Sequence, residues 1–149
     1  MRLRPGSAYT RAFAAGMLLA AMLPTAISEV VVVVSPKSPV HSMTAEQIAD
    51  IFLGRSHRLP DGSLAMPIDQ WEESPARAEF FSRYIGQTPV QVKMHWSKLI
   101  FTGRGQPPRQ VRDSTEVKKV LAQNPNAIGY IDRAFVDETV TVLTFTNDH

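Results

Sequence analysis

Five consecutive valines, Val30–Val34, constrain the fold more than any other feature of the sequence. β-Branched side chains favour extended backbone, and a run without polar alternation indicates a strand that is covered on both faces. Central strands of parallel sheets have this composition. The rest of the chain must then supply helices for both faces of a sheet, which favours an α/β domain.

Helix and strand signals alternate after the valines. Thr44 and Gln47 form a capping box, and Ser74-Pro75 and Thr88-Pro89 each place a capping residue before proline. Helices are therefore predicted from Thr44, Ser74 and Thr88, and from about Ser114 to Gln123; their buried faces are predicted to include Ala78, Phe81, Ile85, Val92, Trp96, Leu99, Ile100, Val117, Val120 and Leu121. Further strands are predicted over Leu64–Asp69, Ala127–Asp132 and Val140–Phe145, with Pro67 favouring an edge or irregular position. This order predicts a three-layer single domain with a mostly parallel sheet flanked by helices.

The first 28 residues have the pattern of a cleavable signal peptide. Arg2, Arg4 and Arg11 give a basic start, Ala12–Leu23 is an apolar run, and Ala26–Ser28 is an exit with small residues. The apolar run is shorter than the ~20 residues that a membrane-spanning helix needs, which argues against an uncleaved anchor. We expect export to the periplasm, cleavage after Ser28, and a released domain of residues 29–149 with no membrane span.

Composition narrows the possible partners. The chain has no cysteine, so disulfides, thiolate metal sites and a thioether-linked lipid anchor are excluded. Three of the 16 Lys and Arg lie in the signal peptide, which leaves 13 basic against 14 acidic side chains in the exported part. No block of basic residues is present, so nucleic acid is not expected as a partner.

Three segments together resemble a known family: MTAEQIADIFLG at Met43–Gly54, PIDQWEESPA at Pro67–Ala76 and NAIGYID at Asn126–Asp132. In this order and spacing they are similar to the phosphate-binding proteins of phosphate ABC transporters, in the type 2 periplasmic binding protein class. The resemblance implies a solute-binding protein with a small anion such as phosphate as ligand. Proteins of this class have two lobes and about twice this length, so the chain would correspond to a single-lobe short form.

The start of the second helix is the first candidate anion site. A helix amino end offers unpaired N–H groups and a positive dipole end, so Ser74, Ala76 and Arg77 are candidate anion-binding residues. The family pattern has an arginine followed by Ser-Gly-Thr, whereas this chain has Gln70 and then Ser74-Pro75-Ala76. Both changes remove anion-binding groups. The alternative is that Ser74 only caps the helix, accepting a bond from the N–H of Ala76 or Arg77.

Two loops supply further candidates. Arg104 stands between Gly103 and Gly105, where it could bind a carboxylate or phosphate, pair with an acidic helix of a partner, or belong to an ordinary solvated turn. Ser35 and Ser38 follow the valine strand, at the carboxyl end of which open α/β sheets bind ligands. Their alternative role is hydrogen bonding within a proline-rich loop.

No catalytic or metal-binding pattern is present in the sequence. His41, His57 and His95 lack metal-ligand spacing, and no nucleophile-elbow, phosphate-loop or zinc-protease motif occurs. We therefore expect no enzyme activity and no cofactor. The function expected from the sequence is that of a solute-binding-like module with weak or assisted anion binding. The alternative is a periplasmic interaction module that has kept the fold, lost the pocket and docks on an envelope protein.

Overall fold

The computed structural model describes residues 2–3 and 29–146. Apart from Arg2 and Leu3, the predicted signal peptide lies outside the described residues, so its cleavage stays a prediction. Within the described part of the chain, no helix combines the length and the apolar character needed to cross a bilayer.

The described chain contains seven strands and four α-helices. In chain order they are β1 Val30–Val34, β2 Ser42–Met43, α1 Ala45–Phe52, β3 Met66–Gln70, α2 Pro75–Phe80, a π-helical segment Phe81–Ile85, α3 Pro89–Phe101, β4 Arg109–Val111, α4 Ser114–Gln123, β5 Ala127–Asp132, a 3₁₀ turn Arg133–Phe135, β6 Thr141–Val142 and β7 Thr144–Phe145. The predicted bounds of the fourth helix and of strand Ala127–Asp132 are confirmed residue for residue.

Five strands form the main sheet, in the order β4-β3-β5-β1-β6. Strand β3 is parallel to both β4 and β5, whereas β1 is antiparallel to both β5 and β6. Four of the five strands thus run in one direction, which confirms the mostly parallel sheet. The expectation that the valine strand is itself one of the parallel strands was wrong, because a run of valines encodes burial on both faces and not direction.

The sheet is covered on both faces, which confirms the three-layer architecture. Alternate valines of β1 point to opposite sides. Val30, Val32 and Val34 pack into a core with residues of α1, α2 and α3, while Val31 and Val33 pack into a second core with residues of α4. All five valines are buried. Strands β2 and β7 pair separately as a small parallel sheet.

Pro67 does not lie on an edge strand, because β3 has neighbours on both sides. The N–H of Met66 donates to the carbonyl of Asn126, 3.0 Å away, just before β5 begins. Successive backbone nitrogens of a strand face opposite sides, so the nitrogen of Pro67 faces β4. Pairing with β4 starts only at Ile68, opposite Arg109. The absence of an N–H on Pro67 therefore removes no hydrogen bond between β3 and β4.

The helix after Ser74 also departs from regular periodicity. Its α-helical part ends at Phe80, and the π-helical segment continues to Ile85 before Gly86 ends it with φ +73°. Phe80 and Phe81 are fully buried on the same face as Ala76 and Arg77. Ala78, which was predicted to be buried, lies off this face and is exposed.

Candidate functional site

Buried polar side chains collect at the edge of the sheet where β3 and β5 end. Asp69 and Gln70 are the last two residues of β3, and Tyr130 projects from the parallel neighbour β5. Gln70 and Tyr130 are fully buried, and Asp69 is 3% exposed. Carboxyl ends of parallel strands are where open α/β sheets bind ligands, so these residues occupy the position of a site.

Hydrogen bonds join this cluster to the residues around the start of α2. One oxygen of Asp69 accepts bonds from the Tyr130 hydroxyl (2.5 Å) and the Gln70 N–H (2.8 Å), and the other accepts from Nε of Arg77 (3.3 Å). The Gln70 side-chain amide donates to the Tyr130 carbonyl (2.8 Å) and accepts from the Ser74 hydroxyl (2.5 Å). We call these five residues the Asp69 network. Each of the five residues has at least one hydrogen-bond partner within the network.

Burial sets the electrostatics of the network. Arg77 is 6% exposed, and its guanidinium lies 4.9 Å above the centre of the Phe81 ring. Desolvation by burial, followed by the nearby charge of Asp69, raises the pKa of Tyr130 far above its usual value. Tyr130 therefore stays protonated and donates to Asp69, and Phe80 stacks on its ring at a centroid distance of 4.0 Å.

The start of α2 differs from the capping role predicted for Ser74. Ser74 precedes the helix in extended conformation, but its side chain makes no capping bond, so the expected bond from the N–H of Ala76 or Arg77 is absent. The hydroxyl donates to Gln70 instead, since the end of β3 brings the Gln70 amide within reach. The guanidinium of Arg77 is paired with Asp69 and Pro75 has no N–H, so this helix start presents few free donors.

Ser35 and Ser38 lie at the other edge of the sheet. Because β1 is antiparallel to β5, its end at Val34 pairs with Ile128 near the start of β5. Both serines are buried, and their hydroxyl oxygens accept bonds from backbone N–H groups two residues later, each at 3.2 Å. The two serines stabilise their own loop and are not brought together with Ser74.

Arg104 lies in a third place, beyond the end of α3. The helix begins beside Arg77, with Pro89 lining the same shallow cleft, and the loop that follows it lines a groove with Met66 at the start of β3. Arg104 is exposed in this loop, with its N–H bonded to the carbonyl of Leu99 at 2.9 Å. The six candidate residues therefore occupy three separate places.

Asp69, Gln70 and Tyr130 were not predicted from the sequence as site residues. A usable signal was present: an aspartate and a glutamine at the end of an apolar strand must find partners when buried. In residues 2–3 and 29–146, no group of three or more His, Asp and Glu side chains is arranged to hold a metal ion.

Comparison with known proteins gives a fold but no close relative. No family model matches the sequence, and no curated protein matches it. Solved structures do match: a protein described as a phosphate ABC transporter substrate-binding protein from Clostridium perfringens, solved with bound phosphate, has a TM-score of 0.62 at 20% identity, over 79% of this chain and 45% of that one. The chain has the fold of one lobe of a phosphate substrate-binding protein.

Two further structures agree with this assignment of the fold. An ABC-type phosphate transport receptor from Vibrio cholerae matches at 21% identity with a TM-score of 0.62, over 79% of this chain and 46% of that one. PstS from Borrelia burgdorferi matches at 15% identity with a TM-score of 0.60, over 82% and 49%. The chain thus spans less than half the length of each of these proteins.

Proposed function

We propose that the chain is an exported module, built like one lobe of a phosphate-binding protein, that acts by docking on another envelope protein. The observation against a free anion site, and so in favour of an interaction module, is the Asp69 network. The cation nearest the start of α2, Arg77, is already paired with the buried carboxylate of Asp69, and the hydroxyl of Ser74 is already bonded to Gln70. The groups that would hold an anion are therefore engaged within the chain.

Capturing an anion here would require breaking this network. An anion that took Arg77 from Asp69 would leave a buried carboxylate without its cation, and removing one partner of a buried pair costs about 3–5 kcal/mol. A single lobe also leaves the ion exposed on one side, where salt screens the charge. A dissociation constant near 1 mM corresponds to only about −4 kcal/mol, and we expect phosphate to bind no more tightly than this.

Assisted anion binding is a second candidate function. It is supported by the bound phosphate of the Clostridium perfringens protein and by the shared lobe fold. In this alternative a second copy of the chain, or a partner, would supply the missing lobe and enclose the ion.

Calorimetry with phosphate and sulfate separates the two functions. The proposal predicts millimolar or weaker binding, unchanged in the surface variant Lys37→Met and in the double variant Asp69→Ala with Arg77→Met, which removes both charges of the buried pair. Micromolar phosphate binding by the monomer would contradict it. Tight binding confined to a dimer would favour the second candidate.

Export is tested separately by sequencing the amino terminus of protein recovered from the cell envelope. We expect the chain to begin at or within a few residues of Glu29. Material that still begins with Met1 or Arg2 would show that the signal peptide is not removed and would contradict a released periplasmic module.

A further inference from the structure

Helix α3 carries an exposed apolar row on the side that faces away from the core. Val90 and Met94 are each 67% exposed and Phe101 is 92% exposed. At about 100° per residue, these three side chains lie within about 40° of one another around the helix axis. Val92 and Trp96 lie on the opposite side and are buried. We call Val90, Met94 and Phe101 the α3 row; a helix that is apolar on both sides is typical of one covered on both sides.

Basic side chains flank the α3 row without acidic partners. Lys93 and Lys98 are exposed on its two sides, and Arg104 follows beyond its last residue. None of the three forms an ion pair with another described residue. The sequence from Phe80 to Arg112 contains no aspartate or glutamate. Glu72 lines the cleft beside Val90 and Lys93, so the uncompensated positive charge is concentrated toward Lys98 and Arg104.

We infer that the α3 row is the docking surface for an acidic segment of a partner protein. This segment forms an apolar groove with Asp or Glu side chains along its rim. This inference rests on the proposed function and names its surface. The row has the spacing i, i+4 and i+11, which keeps its three side chains on one face, and a helix enters an apolar groove by one apolar face. Phe101 is the main anchor, since a large exposed aromatic side chain contributes most on burial. The lysines and Arg104 meet the acidic rim.

Charge argues against two other occupants. A second copy would place Lys93 and Lys98 against the same lysines, and like charges across an interface oppose association. A lipid surface is recognised by clusters of about four to eight basic residues, whereas three flank this row. A partner segment of this kind would cover the apolar α3 row and place its carboxylates opposite the basic side chains.

Site-specific photo-crosslinking tests the inference in the cells that make the protein. The full chain carries p-benzoylphenylalanine at the position of Phe101 or, as matched control, at the exposed position of Leu64. Adducts are isolated after irradiation and mapped by mass spectrometry. We expect at least fivefold more adduct from the position of Phe101, mapping to an apolar segment flanked by Asp or Glu.

Charge variants supply the second readout. Lys93→Glu combined with Lys98→Glu should reduce the adduct from the position of Phe101 at least fivefold, while Lys37→Glu leaves it unchanged. Melting curves of the purified variants should coincide with the parent, because all three lysines are exposed. If the double reversal melts early, Lys93→Gln with Lys98→Gln replaces it and should reduce the adduct at least twofold.

Several outcomes would overturn the inference: adducts with a second copy, with lipid, or with a segment that lacks acidic residues, or equal yields from the two positions. Binding of the chain to phosphatidylglycerol vesicles that Phe101→Ser abolishes would assign the row to lipid instead. Protein adducts from the position of Leu64 alone would leave the proposed function standing and refute this surface. An absence of protein adducts from both positions, together with micromolar phosphate binding, would refute both.

Discussion

Replacing Asp69 by alanine should cost much more than the loss of a single hydrogen bond. The variant leaves the guanidinium of Arg77, which is 6% exposed, without its carboxylate 3.3 Å away. Breaking a buried pair from one side costs about 3–5 kcal/mol, against about 1 kcal/mol for an ordinary hydrogen bond. The free energy of unfolding should therefore fall by at least about 3 kcal/mol.

Urea unfolding measures this loss, and a double-mutant cycle identifies its cause. With an m-value of about 1.5 kcal/mol/M, a loss of 3 kcal/mol lowers the midpoint by about 2 M. Adding Arg77→Met removes the stranded charge, so Asp69→Ala with Arg77→Met should be more stable than Asp69→Ala alone. We expect a coupling energy of at least about 2 kcal/mol.

An exposed ion pair serves as the matched control. Asp50 and Arg55 lie 3.5 Å apart, with the arginine side chain 57% exposed. Asp50→Ala should cost less than about 1 kcal/mol, because solvent screens the pair. If Asp69→Ala costs no more than this control, or if the two changes in the cycle are additive, then the Asp69 network does not depend on the buried pair and the reasoning is refuted.

Three further predictions follow from other contacts. The pKa of Tyr130 is raised above its unfolded value near 10, so its contribution to the free energy of unfolding is intact below pH 10 and is lost as the pH rises further, at up to about 1.4 kcal/mol per pH unit. Tyr130→Phe should reduce this pH dependence in unfolding curves. An unchanged slope would exclude Tyr130 as its source. A methyl group at Gly129 would lie 2.7 Å from Cγ1 of Val117, so Gly129→Ala should lower the free energy of unfolding by about 1–3 kcal/mol. Adding Val117→Ala should recover part of this loss, and additive losses in the double variant would contradict the contact. Arg104→Ala should change the free energy of unfolding by less than about 0.5 kcal/mol while weakening crosslinking at the α3 row, and the reverse result would make Arg104 a structural residue.

The fold could be predicted where local signals and burial agree. The capping box of Thr44 and Gln47 and the helix start at Thr88-Pro89 are local signals, and the structure contains both. The direction of β1 could not be predicted, because it depends on which strands lie beside it. Strand β4 was missed, since its three residues Arg109–Val111 have no apolar pattern of their own.

The candidate site was harder to predict because its chemistry depends on long-range contacts. The sequence shows Arg77 one turn into a helix, as an exposed anion-binding cation would be. Only the structure shows Asp69 and Tyr130 beside it, and Tyr130 is 61 residues away from Asp69 along the chain. Ile100 was predicted to be buried and is 54% exposed, because α3 has apolar residues on more than one side and periodicity alone does not say which side meets the core.

The place of β1 in the sheet has a consequence for when the chain can fold. Val30 pairs with Asp132 and Val33 pairs with Val142, so the first strand of the domain finds both neighbours about 100 residues later. Contacts at this separation close large loops and form slowly. Until residues near Val142 have been synthesised, the five valines have no strand to pair with and form an apolar, aggregation-prone segment. The main sheet therefore cannot be completed until nearly all of the described chain has been synthesised.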